Sequence, residues 1–467
     1  MDTRKPAQEH HAQSKASHDT GTPEALVEFM AGGWIDTPIT VSAEPHRDDY
    51  REHRRRLSQA YPDTYLVIPA GEEKVRANDT NFRFRPSSDF AYLIGPSEPG
   101  ALLVMEPREH GGHDSLLFVP PHNRGKAEFF TDRVRGELWV GRHRGVDESQ
   151  LHYGVDRCRP IDEIPAYLND LRLRGCNVRN SDEDAEFATH LSEMRLVNDA
   201  YETAELRKCC EITKRAFEDV IRILPHATSE REVEAAFWSR ARIEANDVGY
   251  LTIAASGHHA CTLHWTQNTG AIRKGELLLL DAGVEVDSLY TADITRTLPI
   301  SGKFTAEQRI VYELVYEAQK AAFEQVKPGN DFLEPNRAAM RVLAQGLIDL
   351  GILKCSLDEA LDPQKQYHKR YTLHNVSHML GLDVHDCAKA REENYRYGKL
   401  KTGMSLTVEP GLYFQPDDGT VPERFRGIGV RIEDDVVVTA EGHENLSAIL
   451  PSAPDAVEEW ISRIQTR

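Results

Sequence analysis

Two patterns of hydrophobic and polar positions divide the chain. Between about Tyr50 and Arg195, short apolar runs bounded by Gly, Pro or Asp alternate with amphipathic stretches. This alternation predicts a mixed α/β region. The predicted strands are TYLVIPAG, DFAYLIG, ALLVMEP and SLLFVPP, and the predicted helices are YREHRRRLSQAY, AEFFTDRVRG and EIPAYLNDLRLRG. No cluster of residues typical of a catalytic site lies in this half of the sequence.

The second half predicts a different arrangement. ETAELRKCCEITKRAFEDVIRIL has apolar residues at helical spacing up to Pro225. Ser229 with Glu232, and Thr305 with Gln308, match the capping-box pattern that begins a helix, and the second of these helices is predicted to end near Pro328. The predicted strands are ELLLLDAG, ADITRTLPI, SLTVEPGLYF and VRIEDDVVVT. Helices and antiparallel strands grouped in this way predict an α+β domain.

The N-terminal segment is polar and rich in His, Ser, Thr and Ala. Its histidines, His10, His11 and His18, have no ordering neighbours in sequence, so a solvated tail is favoured over a metal site. We therefore predict three parts: a mobile polar extension over residues 1–45, a smaller mixed α/β domain over 46–195, and an α+β domain over 196–467.

Composition narrows the classes of function. Of 467 residues, 56 are Lys or Arg and 75 are Asp or Glu, which gives a net charge of −19. This charge argues against binding to nucleic acid or to an anionic membrane surface. The seven cysteines are odd in number, scattered and without a CxxC pair, which favours a reducing compartment over a disulfide framework. No apolar run approaches a membrane span or a secretory signal, so we predict a cytoplasmic protein.

The first candidate site is LLLLDAGVEVDSLYTADITRTLP. Asp281 ends an apolar run, and Asp293 follows twelve residues later. A hairpin centred near Asp287 and Ser288 would make the two carboxylates near-opposite neighbours on one face. Two buried carboxylates at that distance need a cation between them if both are ionised. The alternative at this point is an ordinary turn followed by a surface aspartate.

The second candidate site is LHNVSHMLGLDVHD. His374, His378 and His385 occur here within twelve residues, beside two aspartates. The spacing is not that of an HExxH zinc motif, because Asn375 occupies the glutamate position. One histidine in such a segment would usually be a core residue. Three histidines close to two acids favour chemistry instead.

Two further acids stand inside strand-like apolar runs. Glu409 lies in TVEPGLYF and Glu433 in GVRIEDDVVVT. A charged residue in such a run is rarely buried unless it is paired or coordinated, although an edge strand with its glutamate in solvent is the alternative. Arg431 lies two residues before Glu433 and is predicted to face the same side, where it would pair with the acid or with a substrate.

These candidates together form a donor set for metal ions: Asp281, Asp293, His378, Glu409 and Glu433. Hard carboxylate oxygens favour Mn²⁺, Mg²⁺ or Ca²⁺, and one imidazole shifts the preference towards Mn, Fe, Co or Zn. Four negative charges balance two divalent ions. Two such ions about 3.5–4 Å apart can share a hydroxide and hold it for attack.

The blocks DAG…ADITRTLP, SHMLGLDVHD, TVEPGLY and RIEDD, in this order, resemble the pita-bread metallopeptidases, and most closely the aminopeptidase P (Xaa-Pro aminopeptidase) family. The resemblance extends from about Tyr50 to the end, because RFRPSSDFAYLIGPSEPGALLV is similar to the N-terminal domain of that family. It implies a pita-bread catalytic domain preceded by a smaller mixed α/β domain. It also implies a manganese-dependent exopeptidase that hydrolyses the N-terminal Xaa-Pro bond of peptides with a hydroxide bridging two metals.

The resemblance also assigns roles to residues. Asp281 would bind one metal, Asp293 and Glu433 would bridge both, and His378 and Glu409 would complete the other. The family's supporting histidines correspond to His264, His374 and His385, and its further substrate-binding positions to Tyr413 and Arg431. Glu409 is the expected proton shuttle to the departing proline nitrogen, and His264 or His385 is expected to stabilise the oxyanion. For His258 and His259, a role as loop residues is favoured over a role as substrate contacts.

Three other functions compete with this one. Prolidase has the same fold and metals but cleaves Xaa-Pro dipeptides; Ser377 and Arg296 favour aminopeptidase P. Methionine aminopeptidases usually lack a domain like residues 50–195. A non-catalytic pita-bread module that binds peptides or proteins is disfavoured because all five ligand positions are occupied. The family resemblance implies a homodimer or homotetramer acting on peptides with proline at the second position. The net charge of −19 predicts no nucleic-acid or membrane partner.

Overall fold

The computed structural model describes residues 21–35 and 39–466. The chain divides into two compact units, Met1–Asp182 and Glu183–Arg467. Of the predicted mobile extension, residues 21–35 and 39–45 are described and contain one exposed helix; His10, His11 and His18 lie outside the described residues. The predicted boundaries at residues 45/46 and 195/196 stay predictions. Within the described ranges, no helix combines the length and the apolar character needed to cross a membrane.

The first unit is built around one mixed sheet. In chain order its elements are α1 (Glu24–Ala31), α2 (Arg47–Ala60), β1 (Tyr65–Pro69), β2 (Val75–Ala77), β3 (Thr80–Asn81), α3 (Ser88–Ile94), β4 (Leu102–Pro107), β5 (His113–Val119), α4 (Glu128–Thr131), α5 (Glu137–Val140), α6 (Val146–Tyr153), β6 (Arg157–Pro160), α7 (Ile164–Leu173) and β7 (Val178–Asn180). The strand order is β6-β5-β4-β1-β7, with parallel pairing at both edges and antiparallel pairing between. Alternate residues of β4 and β5, such as Val104 and Phe118, bury one face of the sheet.

One predicted strand of this unit is wrong. DFAYLIG forms the helix α3 rather than a strand. Ser87 caps its first turn by accepting a hydrogen bond from the Phe90 amide, and Gly95, at φ 94°, ends it. The residues Phe90–Ile94 are all buried, so the segment is apolar on every side. A short run of that kind has no periodicity that separates a buried helix from a buried strand.

The second unit groups its helices and its antiparallel strands separately, as predicted. Its elements are α8 (Ala185–Met194), α9 (Ala200–Ile223), α10 (Glu230–Glu244), β8 (Asp247–Val248), β9 (Ile253–Ser256), β10 (Leu277–Asp281), β11 (Val284–Glu285), β12 (Thr295–Pro299), α11 (Ala306–Phe323), α12 (Glu334–Asp349), α13 (Leu357–Leu361), β13 (Ser405–Val408), β14 (Gly411–Tyr413), β15 (Gly429–Arg431), β16 (Asp434–Val438), β17 (His443–Asn445) and α14 (Pro454–Gln465). The main sheets are β12-β10-β9 and β13-β16-β17, with two-stranded ladders β11-β8 and β14-β15.

The helix boundaries follow local capping chemistry. Thr305 and Gln308 form the predicted capping box at the start of α11, but that helix ends at Phe323, five residues before Pro328. Ser229 accepts from the Glu232 amide at the start of α10. The Glu232 carboxylate bonds to the Thr228 amide instead of closing the predicted box. α9 begins with a capping box that sequence analysis did not identify.

Candidate metal centre

The two aspartates of the first predicted site lie on one hairpin. Asp281 is the last residue of β10 and pairs with Thr295 on β12. Asp293 precedes Thr295 by two residues, so it is the diagonal neighbour of Asp281 rather than its direct partner. The hairpin is centred on Ser288, because an isolated bridge also joins Glu285 to Thr291. The predicted approach of the two carboxylates is present, with the register displaced by two residues.

Tyr250 and Arg431 contact this pair of carboxylates. The Tyr250 hydroxyl lies 2.7 Å from Asp281 Oδ1 and also contacts Asp293 Oδ1. Arg431 pairs with the other oxygen of Asp281 and donates to Tyr413 Oη over 2.9 Å. The sequence predicted that Arg431 pairs with Glu433 or with substrate. In the structure its ion pair is with a different acid, Asp281, the last residue of β10.

Glu433 joins the same cluster from the segment between β15 and β16. Its carboxylate accepts a hydrogen bond of 2.6 Å from the Thr295 hydroxyl, and its amide donates to the Thr295 carbonyl. The residue is buried, and oxygens of Asp281, Asp293 and Glu433 lie within 4.8 Å of one another. Glu433 is therefore inside the protein, which excludes the edge-strand alternative for this residue.

His378 and Glu409 close the cluster from the other sheet. His378 Nε2 is 3.2 Å from Asp293 Oδ2 and 3.6 Å from Glu409 Oε1. The backbone of His378 is paired with Thr407 on β13, and the Glu409 amide donates to the Val376 carbonyl. These backbone hydrogen bonds place both side chains on the side of β13 that faces Asp293.

The proton affinities of the cluster reflect its burial. Burial and the neighbouring acids raise the pKa of Asp293 and of Glu433, and burial raises the pKa of Glu409 to about 7. Burial alone would lower the pKa of His378, but Asp293 and Glu409 raise it to about 9. The four carboxylates therefore do not all carry their charge without a compensating cation.

The three other predicted histidines surround this centre. His374 Nε2 is 2.7 Å from Tyr413 Oη, and His374 Nδ1 is 3.4 Å from Glu409 Oε2. The His385 ring meets the His378 ring edge-on, with centroids 4.3 Å apart. Burial lowers the pKa of both, to about 4 for His374, and the charge of His264 acts in the same direction on each. All ten predicted site residues are thus brought together.

The remaining pair of histidines lies directly after β9. The His259 imidazole bonds to Glu230 Oε1 over 2.8 Å, and His258 is exposed next to it. Both belong to the short 3-10 helix Gly257–Cys261. Their interpretation as loop residues agrees with this placement.

Several residues that support the centre were not predicted to do so from the sequence, and among them Arg296 had been named only as a feature that favours aminopeptidase P over prolidase. Tyr250 precedes β9 in a stretch without periodicity, and nothing in its sequence context indicates contact with two acids. Asp435 accepts a hydrogen bond from the Asp293 amide over 3.1 Å. Arg296 donates to the Glu433 carbonyl over 2.6 Å and pairs with Asp434. The run of three acids after Ile432 was the available signal for Asp434 and Asp435.

The side chains fit a pair of divalent cations. Four carboxylates and one imidazole provide hard oxygen donors and one nitrogen, and four negative charges match two divalent ions. A single Tyr250 hydroxyl hydrogen serves two carboxylate oxygens, which leaves the aspartates with fewer donors than lone pairs. A cation between them satisfies the remaining lone pairs.

Comparison with known proteins agrees with this geometry. Residues 204–440 match the model of metallopeptidase family M24, and residues 50–178 match the aminopeptidase P N-terminal domain. The chain is 45% identical over 470 residues to Xaa-Pro aminopeptidase 1 of Streptomyces coelicolor, which covers 95% of this chain and 93% of the relative. It is 35% identical over 450 residues to Xaa-Pro aminopeptidase of Escherichia coli, with 89% and 98% covered.

A solved structure shows the same fold. Aminopeptidase P from E. coli, solved with the inhibitor Pro-Leu, matches with a TM-score of 0.82 and 34% identity, over 91% of this chain and all of that chain. The predicted fold, a pita-bread domain preceded by a smaller mixed α/β domain, is confirmed. The chain therefore belongs to the aminopeptidase P group of metallopeptidase family M24.

Proposed function

We propose that this protein is a metal-dependent exopeptidase that releases the N-terminal residue from peptides with proline at the second position. The observation that carries the proposal is the convergence of five donors in one buried cluster: Asp281, Asp293, His378, Glu409 and Glu433. The family membership and the relatives named Xaa-Pro aminopeptidase support the same activity.

The cluster would hold two divalent ions, with manganese as the proposed metal. Asp281 would bind one ion, His378 and Glu409 the other, and Asp293 and Glu433 both. When bound, such ions lower the pKa of a shared water and make hydroxide available as a nucleophile near neutral pH. Arg431 neutralises part of the charge of Asp281, and Tyr250 orients Asp281 and Asp293 relative to each other.

Glu409 is suited to transfer a proton. Its carboxylate lies between His378 and His374, where it can receive a proton from a bound water and pass it on. A peptide bond to proline carries no N–H, and the departing nitrogen becomes a secondary amine only when it receives a proton. Glu409 would take that proton from the attacking water and deliver it to the prolyl nitrogen.

The surrounding histidines would act as hydrogen-bond donors. Burial lowers the pKa of His385 and of His374, so both imidazoles are uncharged at neutral pH. His264, on an exposed loop, and His385 would donate to the oxygen of the scissile carbonyl as negative charge develops on it. Tyr413 joins His374 to Arg431 through its hydroxyl, which fixes the orientation of the His374 ring.

The four carboxylates of the cluster also favour the release of N-terminal residues over cleavage within a peptide. A free N-terminal ammonium is attracted to a cluster of carboxylates, whereas an internal peptide amide offers no positive charge. Peptides with a blocked amine would then bind poorly. The same preference does not distinguish a tripeptide from a dipeptide, so the length of the substrate is the property that separates aminopeptidase P from prolidase.

The test removes metal with a chelator and restores it with Mn²⁺, Zn²⁺ or Mg²⁺ in parallel. Release of Xaa from Xaa-Pro-Yaa is then compared with cleavage of the dipeptide Xaa-Pro. Mn²⁺-restored release from the tripeptide, with little dipeptide cleavage, is the expected result. Preference for the dipeptide would make the protein a prolidase, and metal binding without cleavage of either would contradict the proposed substrate.

Two further features belong to this proposal. The family resemblance implies a homodimer or homotetramer, which light scattering coupled to size-exclusion chromatography measures directly. Location in the cytoplasm stays a prediction from the sequence. The seven cysteines are unpaired in the structure, which is compatible with a reducing compartment such as the cytoplasm.

A further inference from the structure

The segment that carries His264 is attached to one buried carboxylate. We define the His264 loop as residues 256–270, from the last residue of β9 to the bridge at Ala271. Glu230, the first residue of α10, has no exposed surface. A fully buried glutamate is rare unless it is paired or hydrogen-bonded. The hydrogen-bond partners of the Glu230 carboxylate therefore indicate its structural role.

Each oxygen of Glu230 accepts two hydrogen bonds from the His264 loop. Oε1 accepts from the Ser256 amide and from His259 Nδ1, both over 2.8 Å. Oε2 accepts from Trp265 Nε1 over 2.8 Å and from the Gly270 amide over 2.5 Å. The four donors come from the beginning, the middle and the end of the loop, so one carboxylate links all three parts.

Packing around Glu230 restricts the loop further. The Trp265 and His259 rings stack with centroids 3.9 Å apart, so the two side chains that donate to Glu230 also pack against each other. A Cβ on Gly270 would lie 2.6 Å from Glu230 Oε1, which explains a glycine at that close approach. His264 itself is exposed and immediately precedes Trp265 in a tight turn closed by the Thr266 amide on the His264 carbonyl.

From this geometry we propose that Glu230 is a positioning residue that fixes His264 for the reaction. The role of His264 in the reaction rests on the proposed function, whereas the attachment of the loop to Glu230 does not. In the described part of the chain, the hydrogen bonds of the Glu230 carboxylate go to the His264 loop and not to the proposed metal ligands. It acts by holding Trp265, and with it the backbone of His264, in one place. A loop free to move by about 1 Å would cost on the order of 100-fold in rate.

Three variants separate this role from a general effect on folding. Glu230→Gln keeps the shape but presents an amide N–H₂ to two of the four donors. Trp265→Phe removes the indole N–H and part of the ring system but keeps an aromatic ring next to His259. Glu232→Gln is the matched control on the same helix turn, because its carboxylate accepts hydrogen bonds from Thr228 and Ser229 just before α10.

The first measurement is hydrogen exchange of the metal-free and metal-loaded protein, which does not depend on activity. In Glu230→Gln, amides of the His264 loop are expected to exchange at least roughly 10-fold faster, since a hydrogen bond to a buried charge is lost. Glu232→Gln should leave the loop unchanged and affect only the start of α10. Unchanged loop exchange in Glu230→Gln would overturn the proposal.

The second measurement is Xaa-Pro-Yaa hydrolysis in a double-mutant cycle with His264→Ala. We expect kcat to fall about 10- to 100-fold in Glu230→Gln with KM and metal affinity within about 3-fold, and a smaller fall in Trp265→Phe. In the His264→Ala background, Glu230→Gln should cost less than about 3-fold. Equal losses in both backgrounds would overturn the proposal. If the parent protein releases no Xaa, the proposed function fails, while the exchange data still decide whether Glu230 holds the loop.

Discussion

Asp435 accepts a hydrogen bond from the backbone amide of Asp293. The distances are 3.1 Å to Oδ2 and 3.3 Å to Oδ1, and both residues are buried. Cys210 donates its thiol to Oδ2 of the same carboxylate. Asp435 is therefore a buried acid that fixes the backbone of a proposed bridging ligand without belonging to the donor set.

This relationship predicts how metal affinity responds at position 435. Asp435→Ala leaves the Asp293 amide without a partner and should weaken metal binding about 10- to 100-fold, as loss of supporting contacts does at other metal sites. Asp435→Asn keeps an oxygen that accepts from the amide and should stay within about 3-fold. Competition with a chromophoric chelator measures both. Equal losses in the two variants would mean that the charge of Asp435, not the hydrogen bond, is what matters.

A second prediction concerns Arg296, which pairs with Asp434 where neither side chain is exposed. Arg296 also donates to the carbonyls of Glu433, Leu450 and Pro451. Arg296→Met leaves a buried carboxylate without its cation and should lower the free energy of unfolding by about 3–5 kcal/mol. Chemical denaturation monitored by hydrogen exchange of β12 and β16 measures the change.

The control for Arg296 is an exposed ion pair on a helix of the same unit. Lys320 lies 2.9 Å from Glu317, and both side chains are half exposed. Lys320→Met should change the free energy of unfolding by less than about 1 kcal/mol, because solvent screens such pairs. A comparable effect of the two substitutions would contradict the argument from burial.

The third prediction is a pH dependence of stability in the first unit. His143 Nδ1 is 3.2 Å from Glu98 Oε2. Burial alone would lower the pKa of His143, but its hydrogen bond to Glu98 and other contacts raise that pKa above 6.5. Burial alone would raise the pKa of Glu98, but its hydrogen bonds to His143 and to the Arg144 amide lower that pKa below 4.5. The pair therefore stabilises fully between about pH 4.5 and 6.5. This stabilisation is lost as the pH rises through the raised pKa of His143, or falls through the lowered pKa of Glu98.

Glu98→Gln tests this sign. The difference in Tm between the parent and Glu98→Gln should be largest near pH 5.5 and should shrink towards pH 9. Glu52→Gln is the matched control, because its partner Arg55 keeps its charge throughout. Its difference should stay flat between pH 6 and 9. A difference for Glu98→Gln that is equally flat would show that His143 does not carry the charge that the contact requires.

Some features of the fold and of the candidate site could be predicted from the sequence, and others could not. Glu409 and Glu433 were found because a charged residue inside an apolar run must be paired or coordinated when buried, as Glu433 is. Asp281 and Asp293 were found from their spacing about a predicted hairpin, and His378 from its cluster of histidines and acids. The strand register could not be predicted to the residue, because the turn after β11 places Leu289 at φ 73° and no turn motif indicates it. α3 was missed because its five consecutive apolar residues, Phe90–Ile94, have no period. Glu230 was missed because its four donors come from a distant loop.

The last prediction concerns Tyr250, whose hydroxyl contacts both Asp281 and Asp293. Tyr250→Phe removes this hydroxyl without changing the ring, so the two carboxylates lose the donor that orients them. Metal affinity should fall about 10- to 100-fold, and the variant should regain activity when the metal concentration is raised. Asp293→Asn, which removes a proposed bridging ligand, should not regain it.

Tyr312→Phe is the control for a lost buried hydroxyl. Tyr312 Oη donates to the Ser452 carbonyl over 2.9 Å, away from the cluster, and its ring is fully buried. Both Tyr→Phe variants lose one hydrogen bond, so both should lower the free energy of unfolding by about 1 kcal/mol. Only Tyr250→Phe should change metal affinity. If Tyr312→Phe weakened metal binding equally, the effect would belong to the stability of the fold, and Tyr250 would have no particular part in orienting the two aspartates.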